Sequence, residues 1–195
     1  MKIQSYLLGG LGAVLLIAGG IGCQSMDTSA DQLLKHHSFH ILVHEEHPIP
    51  EAGTFRFDTK VFKIGQEEEV DLHAVDLRIT SALRAELESK GFREVTKDPD
   101  LMVSYAAALN APLSGADIHS AYSDEFPVKP LVQVSDHDML YTEGALIVDF
   151  VDSHSRTLLW RGAIMAELSR DVSEDDRERR VNLAVEILLG HFPTP

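Results

Sequence analysis

Five histidines and two glutamates crowd the sequence between residues 36 and 47. Imidazole and carboxylate groups are common ligands of zinc, copper and nickel, so this segment could bind a metal ion. Apolar and polar residues alternate from Phe39 to Val43, however, which predicts a β-strand. On a strand His40 and His44 would lie roughly 13 Å apart, and only His44 and Glu46 would be close neighbours. The segment offers these two candidate ligands but predicts neither a complete metal site nor a cofactor.

The acidic residues Asp98 and Asp100, which flank Pro99, could take part in acid–base chemistry or bind calcium. A simpler interpretation is a turn, because proline fixes φ and aspartate side chains bond to nearby backbone groups. The sequence therefore predicts a turn between two strands here.

Two further aspartates, Asp149 and Asp152, come just before His154, which has Ser153 and Ser155 on either side. A hydrolase would need a serine held against the histidine by the fold. Neighbouring residues in a turn seldom reach that geometry, and the sequence contains no Gly-x-Ser-x-Gly elbow. No catalytic residue is predicted, and the chain is not expected to be an enzyme.

The only tryptophan, Trp160, is followed by Arg161 in an apolar run. This pair could form a binding hot spot. The prediction is structural instead, with Trp160 in the core and the Arg161 guanidinium reaching water at an edge. Gly144 and Gly162 lie within β-like runs, where a bulge or a close strand approach is expected.

Cys23 is the only cysteine, and it follows a start typical of an exported protein. Lys2 precedes an apolar stretch that ends in small residues, as in a bacterial signal peptide. The pattern resembles the lipidation site of bacterial lipoproteins, although Gly20 stands where that family prefers leucine. The resemblance implies a signal peptide at 1–22 and acyl chains on Cys23. Three alternatives remain: an uncleaved membrane anchor, ordinary cleavage that leaves a free thiol, and a buried structural cysteine.

Lipidation would hold a soluble domain on a membrane, since two or more acyl chains anchor a protein stably. In Gram-negative lipoproteins an aspartate after the cysteine favours the inner membrane. This chain has Gln24 there, so the resemblance implies the outer membrane, facing the periplasm. Residues 23–38 are polar and patternless for most of their length and suit a tether.

The composition limits the classes of partner. The chain has a formal net charge of −14, which opposes binding to nucleic acid. A single cysteine excludes an intrachain disulfide, so a packed core must stabilise the fold. Residues 39–195 are enough for one globular domain with one such core.

The hydrophobic periodicity predicts two helices and several strands, hence an α+β fold with an antiparallel-rich sheet and two helices packed against it. Gly91 is placed to end the first helix, with Phe92 folding back on its last turn. Ser173 is placed to cap the second helix. The predicted helices span 70–90 and 174–189, the strands 39–43, 54–57, 61–64, 92–95, 101–109, 139–151 and 157–168, and an irregular excursion 110–137.

Much of the chain from Thr54 onward is similar to a family of bacterial lipoproteins known only as domain of unknown function 4136. The resemblance implies an envelope location and an α+β fold. It implies no activity, so no catalytic residue is carried over. The matching segments are 53–57 (less closely), 98–103, Tyr141 with 143–149 (where Ala145 replaces an expected threonine), Asp152, 159–163 and the helix ending at Phe192-Pro193.

The sequence thus predicts a lipid-anchored, non-catalytic binding or structural module of the envelope. Its partners would be the lipid bilayer and other envelope proteins, or a small ligand. Tyr122 and Phe126, in the long excursion, are the predicted contact residues. The alternative is a periplasmic enzyme or metal carrier that uses the histidines between His36 and His47.

Overall fold

The three-dimensional structure is a computed structural model that describes residues 34–43, 48–51, 53–65, 70–109, 111–121, 140–141, 144–167 and 172–192. Eight strands and three helices lie within these ranges. The strands are β1 (Lys35–Val43), β2 (Thr54–Ile64), β3 (Arg93–Glu94), β4 (Leu101–Leu109), β5 (Leu113–Ser114), β6 (Leu140–Tyr141), β7 (Ala145–Asp152) and β8 (Leu158–Glu167), and the helices are α1 (Leu72–Ser89), α2 (Gly115–Ala121) and α3 (Glu174–Gly190).

Six strands form one sheet in the order β1-β8-β7-β4-β2-β3, and β5 pairs with β6 in a small second sheet. The main sheet is mixed: β2 runs parallel to both β3 and β4, and the other three pairs are antiparallel. The α+β class and the single domain are confirmed, but the expected antiparallel-rich sheet is only its β1-β8-β7-β4 half. Parallel neighbours need a crossover connection, which α1 supplies between β2 and β4.

The main hydrophobic core lies between one face of the six-stranded sheet and the helices α1 and α3. The opposite face carries a smaller cluster beneath β5, α2 and β6, and a third near the β7–β8 turn. Because apolar clusters lie on both faces, β4, β7 and β8 are almost continuously buried. Main-core residues include Phe55, Leu83, Leu87, Val103, Phe150, Trp160, Val185, Leu188 and Phe192.

The helix caps predicted at Gly91 and Ser173 are present in the structure. Gly91 has a positive φ of 88°, and the Phe92 N–H donates to Leu87 O at 3.0 Å, so Phe92 folds back on α1 as predicted. The Ser173 side chain accepts a hydrogen bond from the Asp176 N–H at 3.1 Å and caps α3. Asp71 caps α1 in the same way through the Ala74 N–H.

Three predicted segments differ from the structure. The predicted strands 54–57 and 61–64 form the single strand β2. The long run 139–151 is interrupted before Gly144, whose φ of 83° turns the chain, so β6 joins the small sheet and only β7 enters the main one. Residues 113–121 were expected to be irregular but form β5 and the helix α2. The described residues therefore contain three helices, one more than expected.

Within the described residues, no helix is both long and apolar enough to cross a membrane.

Candidate functional site

Several residues proposed from the sequence lie outside the described residues. They are Cys23, His44, Glu46, Tyr122 and Phe126. Across the ranges that the structure does describe, no three metal-ligating side chains come together to hold an ion.

The described part of the histidine-rich segment is the edge strand β1. It begins at Lys35, so it takes in the last four residues of the predicted tether. His40 is exposed, and His37 lies 3.0 Å through its Nδ1 from the carbonyl oxygen of Leu34. The predicted strand is present, but burial does not alternate along it: Phe39 and Val43 are 44% and 45% exposed on this edge strand, and Ile41 and Leu42 are both half-buried.

The Asp98-Pro99-Asp100 turn places Asp100 against the start of β2. Its Oδ2 accepts hydrogen bonds from the N–H and the hydroxyl of Thr54, both at 2.7 Å. These two bonds lower the pKa of Asp100, since they favour the charged carboxylate. Asp98 adopts a positive φ of 46°, as aspartate in a turn can. The predicted turn is confirmed, and its second aspartate joins β2 to β4.

Replacing Asp100 with Asn is expected to lower the free energy of unfolding by about 1 kcal/mol at neutral pH, because Asn offers a weaker acceptor at this exposed position. The folded-state pKa lies below the ordinary aspartate value of 3.8, so the carboxylate stabilises the fold above pH 3.8. That contribution is lost as the pH falls through the folded-state value. Urea unfolding curves from neutral to acidic pH measure this, with Asp98→Asn as the charge-matched control. A deficit that persists unchanged in strong acid would contradict the assignment.

Asp152 stabilises the β7–β8 turn. Its Oδ1 accepts the Ser155 N–H at 2.6 Å and the His154 N–H at 3.1 Å. Burial alone would raise the pKa of Asp152, but these hydrogen bonds outweigh it and the pKa is lowered. The Ser153 hydroxyl donates to the carbonyl oxygen of Pro99 and also lies 3.2 Å from the Nδ1 of His154.

The turn residues therefore do not assemble a catalytic triad. Asp152 contacts the backbone of His154, whereas a triad needs the acid on the far nitrogen of the ring. Ser153 is bonded to a carbonyl that ties this turn to the Asp98–Asp100 turn. The geometry is that of two turns held together.

The other aspartate of this group, Asp149, forms a buried ion pair with Arg161. Two bonds of 2.6 Å join the Nε and Nη2 of Arg161 to the two carboxylate oxygens. The side chains are 3% and 2% exposed, so the expectation that Arg161 reaches water is wrong. Asp149 is opposite Arg161 across β7 and β8, and opposite Ser104 across β4 and β7. These three residues form a polar row on the face of the sheet opposite the main core.

Trp160 is in the core, as predicted, with no exposed surface. Its ring packs against Phe150 and Phe192 at centroid distances of 5.4 and 5.6 Å. The ring also lies over Gly162, where a Cβ atom would be 2.1 Å from the Trp160 Cη2. The close approach expected at Gly162 is therefore that of the tryptophan ring.

One polar cluster gave no signal in the sequence. The Tyr105 hydroxyl donates to Asp76 of α1, and the Lys60 ammonium lies 2.8 Å from both Asp76 oxygens. Burial, followed by this bond, raises the pKa of Tyr105. Burial would also raise that of Asp76, but the bonds from Lys60 and Tyr105 lower it overall. The cluster joins β2, β4 and α1, which are separated in sequence and meet only in the fold.

These observations define a class: a single α+β domain on a mixed sheet whose aspartates bind other parts of the fold. The chain belongs to the family described as Domain of unknown function (DUF4136), whose model matches residues 45–194. No curated protein matches the sequence.

Comparison with solved structures found matches at low identity. A DUF4136 family protein from Bacteroides thetaiotaomicron is 11% identical with a TM-score of 0.50, and the match covers 81% of this chain and 97% of that one. A PelC dodecamer from Paraburkholderia phytofirmans is 8% identical with a TM-score of 0.43, covering 78% and 96%. A DUF330 protein from Xanthomonas campestris is 12% identical with a TM-score of 0.39, covering 73% and 87%. At 11% identity the likeness to the Bacteroides thetaiotaomicron protein concerns the fold alone.

Proposed function

We propose that the protein is a lipid-anchored module of the bacterial envelope, with a folded domain that binds or supports envelope components and catalyses no reaction. The proposal that the domain is not catalytic rests on what its aspartates bind. Asp100 binds Thr54, Asp149 binds Arg161, and Asp152 binds the turn that follows it. Three of the four aspartates that the sequence offered for catalysis, Asp100, Asp149 and Asp152, are thus structural acceptors.

The lowered pKa values of two of these aspartates argue against one catalytic role, that of a general acid. A general acid must hold a proton near neutral pH, which requires a raised carboxyl pKa. Asp100 and Asp152 have lowered pKa values and are ionised at neutral pH. They resemble the carboxylates that stabilise turns, which accept backbone hydrogen bonds in the charged form.

The anchoring half rests on the sequence around Cys23. A basic start, an apolar stretch and small residues precede the cysteine, and an acidic domain with its own core follows. Acyl chains on Cys23 would hold this domain on a membrane face. Because Gln24 follows the cysteine, the resemblance to Gram-negative lipoproteins favours the periplasmic face of the outer membrane.

Replacing Cys23 with Ser is expected to abolish lipid attachment and to keep the precursor uncleaved. The measurement is the mass of the N-terminal peptide from membrane-fractionated protein, with and without the substitution. An N terminus at Cys23 that carries acyl chains supports the proposal. An intact Met1 in the unsubstituted protein would make this an uncleaved anchor, and a cleaved, unmodified thiol would make it a free periplasmic protein.

A separate measurement tests the non-catalytic half. Metal analysis of the purified protein is expected to find no stoichiometric ion. A bound metal that is lost in a His44→Ala variant would contradict the proposal and support a metal-dependent activity.

A further inference from the structure

The two edges of the main sheet are built differently. Beyond the two-residue β3, β2 carries charged residues along its length, such as Arg56, Lys60 and Lys63, and its pairing with β4 has a register shift between Phe57 and Lys60. Lysines and bulges are the usual protection of an edge strand against unwanted contacts. In the described part of the chain β1 pairs only with β8; its one lysine and its one register shift lie at its start, and its register from Ser38 to Val43 is regular.

The outer edge of β1 instead presents apolar and imidazole groups. Phe39 and Val43 are nearly half exposed on one face of the strand, and His40 is exposed on the other. His191, just after α3, packs its ring on Phe39 at a centroid distance of 4.4 Å. We call Phe39, His40, Val43 and His191, together with the exposed His37, the edge patch.

Charge sets the edge patch apart from the rest of the molecule. The chain carries 31 acidic and 17 basic residues, for a net charge of −14. None of the five residues of the edge patch is acidic, and β1 as a whole contains a lysine and no aspartate or glutamate. An anionic surface would repel the acidic parts of this domain more than it would repel the edge patch.

The edge patch also lies close to the proposed anchor along the chain. β1 is the first described strand, and it begins twelve residues after Cys23. Twelve residues span at most about 40 Å when fully extended. A tethered domain meets its own membrane at an effective concentration in the millimolar range, so even a weak contact is populated.

We propose that the edge patch rests in the head-group layer of the bilayer to which Cys23 is anchored, so that the domain lies with β1 towards the membrane. This inference rests on the lipid anchor proposed above. Aromatic and aliphatic side chains insert at the boundary between head groups and acyl chains. The unpaired backbone groups of an edge strand stay among head groups and water, because the hydrocarbon region offers them no hydrogen bonds.

A tryptophan placed in the edge patch tests this contact. The full-length, lipid-modified protein is reconstituted in vesicles of phosphatidylethanolamine and phosphatidylglycerol, with or without brominated acyl chains that quench nearby tryptophan. Phe39→Trp is expected to lose about half of its added emission in the brominated vesicles. Trp160, which is fully buried, supplies a constant background. Leu77→Trp is the matched control, since Leu77 is 51% exposed on α1, away from β1.

Equal quenching of Phe39→Trp and Leu77→Trp would overturn the proposed orientation and leave the anchor intact. Protein that fails to stay with the vesicles would overturn the lipoprotein proposal and the contact with it. If Phe39→Trp does not fold, Val43→Trp gives the same readout from the other exposed apolar position. An unquenched edge patch that cross-links to another protein or to a second copy would assign β1 to a protein partner and overturn the membrane contact.

Discussion

Replacing Asp149 with Ala is expected to lower the free energy of unfolding by about 3–5 kcal/mol. The substitution removes the carboxylate that binds the guanidinium of Arg161 through two bonds of 2.6 Å. Arg161 is 3% exposed, so its charge would stay inside the protein without this partner. Removing one partner of a buried ion pair costs much more than the intact pair contributes, because the remaining charge stays buried after losing that carboxylate. Urea unfolding monitored by the emission of Trp160, the only tryptophan, measures the loss.

A second variant separates the lost charge pair from lost packing. Asp149→Leu combined with Arg161→Met replaces both charges with apolar groups of similar length and is expected to recover most of the stability. Arg177→Ala is the exposed control, because the Arg177–Glu174 pair is 3.3 Å long with side chains 48% and 66% exposed. Its effect should stay within about 0.5 kcal/mol. A loss below about 1 kcal/mol for Asp149→Ala would contradict the assignment of a buried pair.

Replacing Gly162 with Ala is expected to cost about 3 kcal/mol, at the upper end for an added methyl group in a packed core. The new Cβ would lie 2.1 to 2.8 Å from three carbon atoms of the Trp160 ring. That ring has no exposed surface and is held by Phe150 and Phe192, so it has no empty space to move into. The measurement is urea unfolding monitored by circular dichroism, since the substitution changes the environment of the fluorescent ring itself.

Gly190 provides the matched control for this substitution. It is the last residue of α3, and a Cβ there would meet nothing within 4 Å. Gly190→Ala should be neutral or stabilise the protein by up to about 1 kcal/mol, because alanine loses less backbone entropy in a helix. Equal effects at the two glycines would show that Trp160 moves freely, contrary to the close packing around it.

The features predicted correctly from the sequence are those whose signals lie within a few residues. Strand β4 was predicted with its observed bounds, because an apolar run between two turns marks a strand on its own. Gly91 and Ser173 mark helix ends through hydrogen bonds to residues three to five positions away. The resemblance to the DUF4136 family was confirmed by the family model, which matches residues 45–194.

The tertiary structure alone decided which segments meet. The parallel pairing of β2 with β4 depends on how the chain crosses over through α1, so the sheet could not be described from its hairpin alone. The bonds between Asp100 and Thr54 join residues 46 positions apart, and those from Tyr105 and Lys60 to Asp76 join three elements.

The burial and ion pairing of Arg161 could not be predicted from the sequence. Alternation along β8 assigns its side chain to a face of the sheet, but it gives no information about what lies over that face or opposite it. The β7–β8 register brings Asp149 alongside, and burial of this face turns the two charges into an internal pair. The sequence determined the strands, turns and helix ends of this protein because those signals are local, and the fold decided the role of its charged residues because burial and pairing are not.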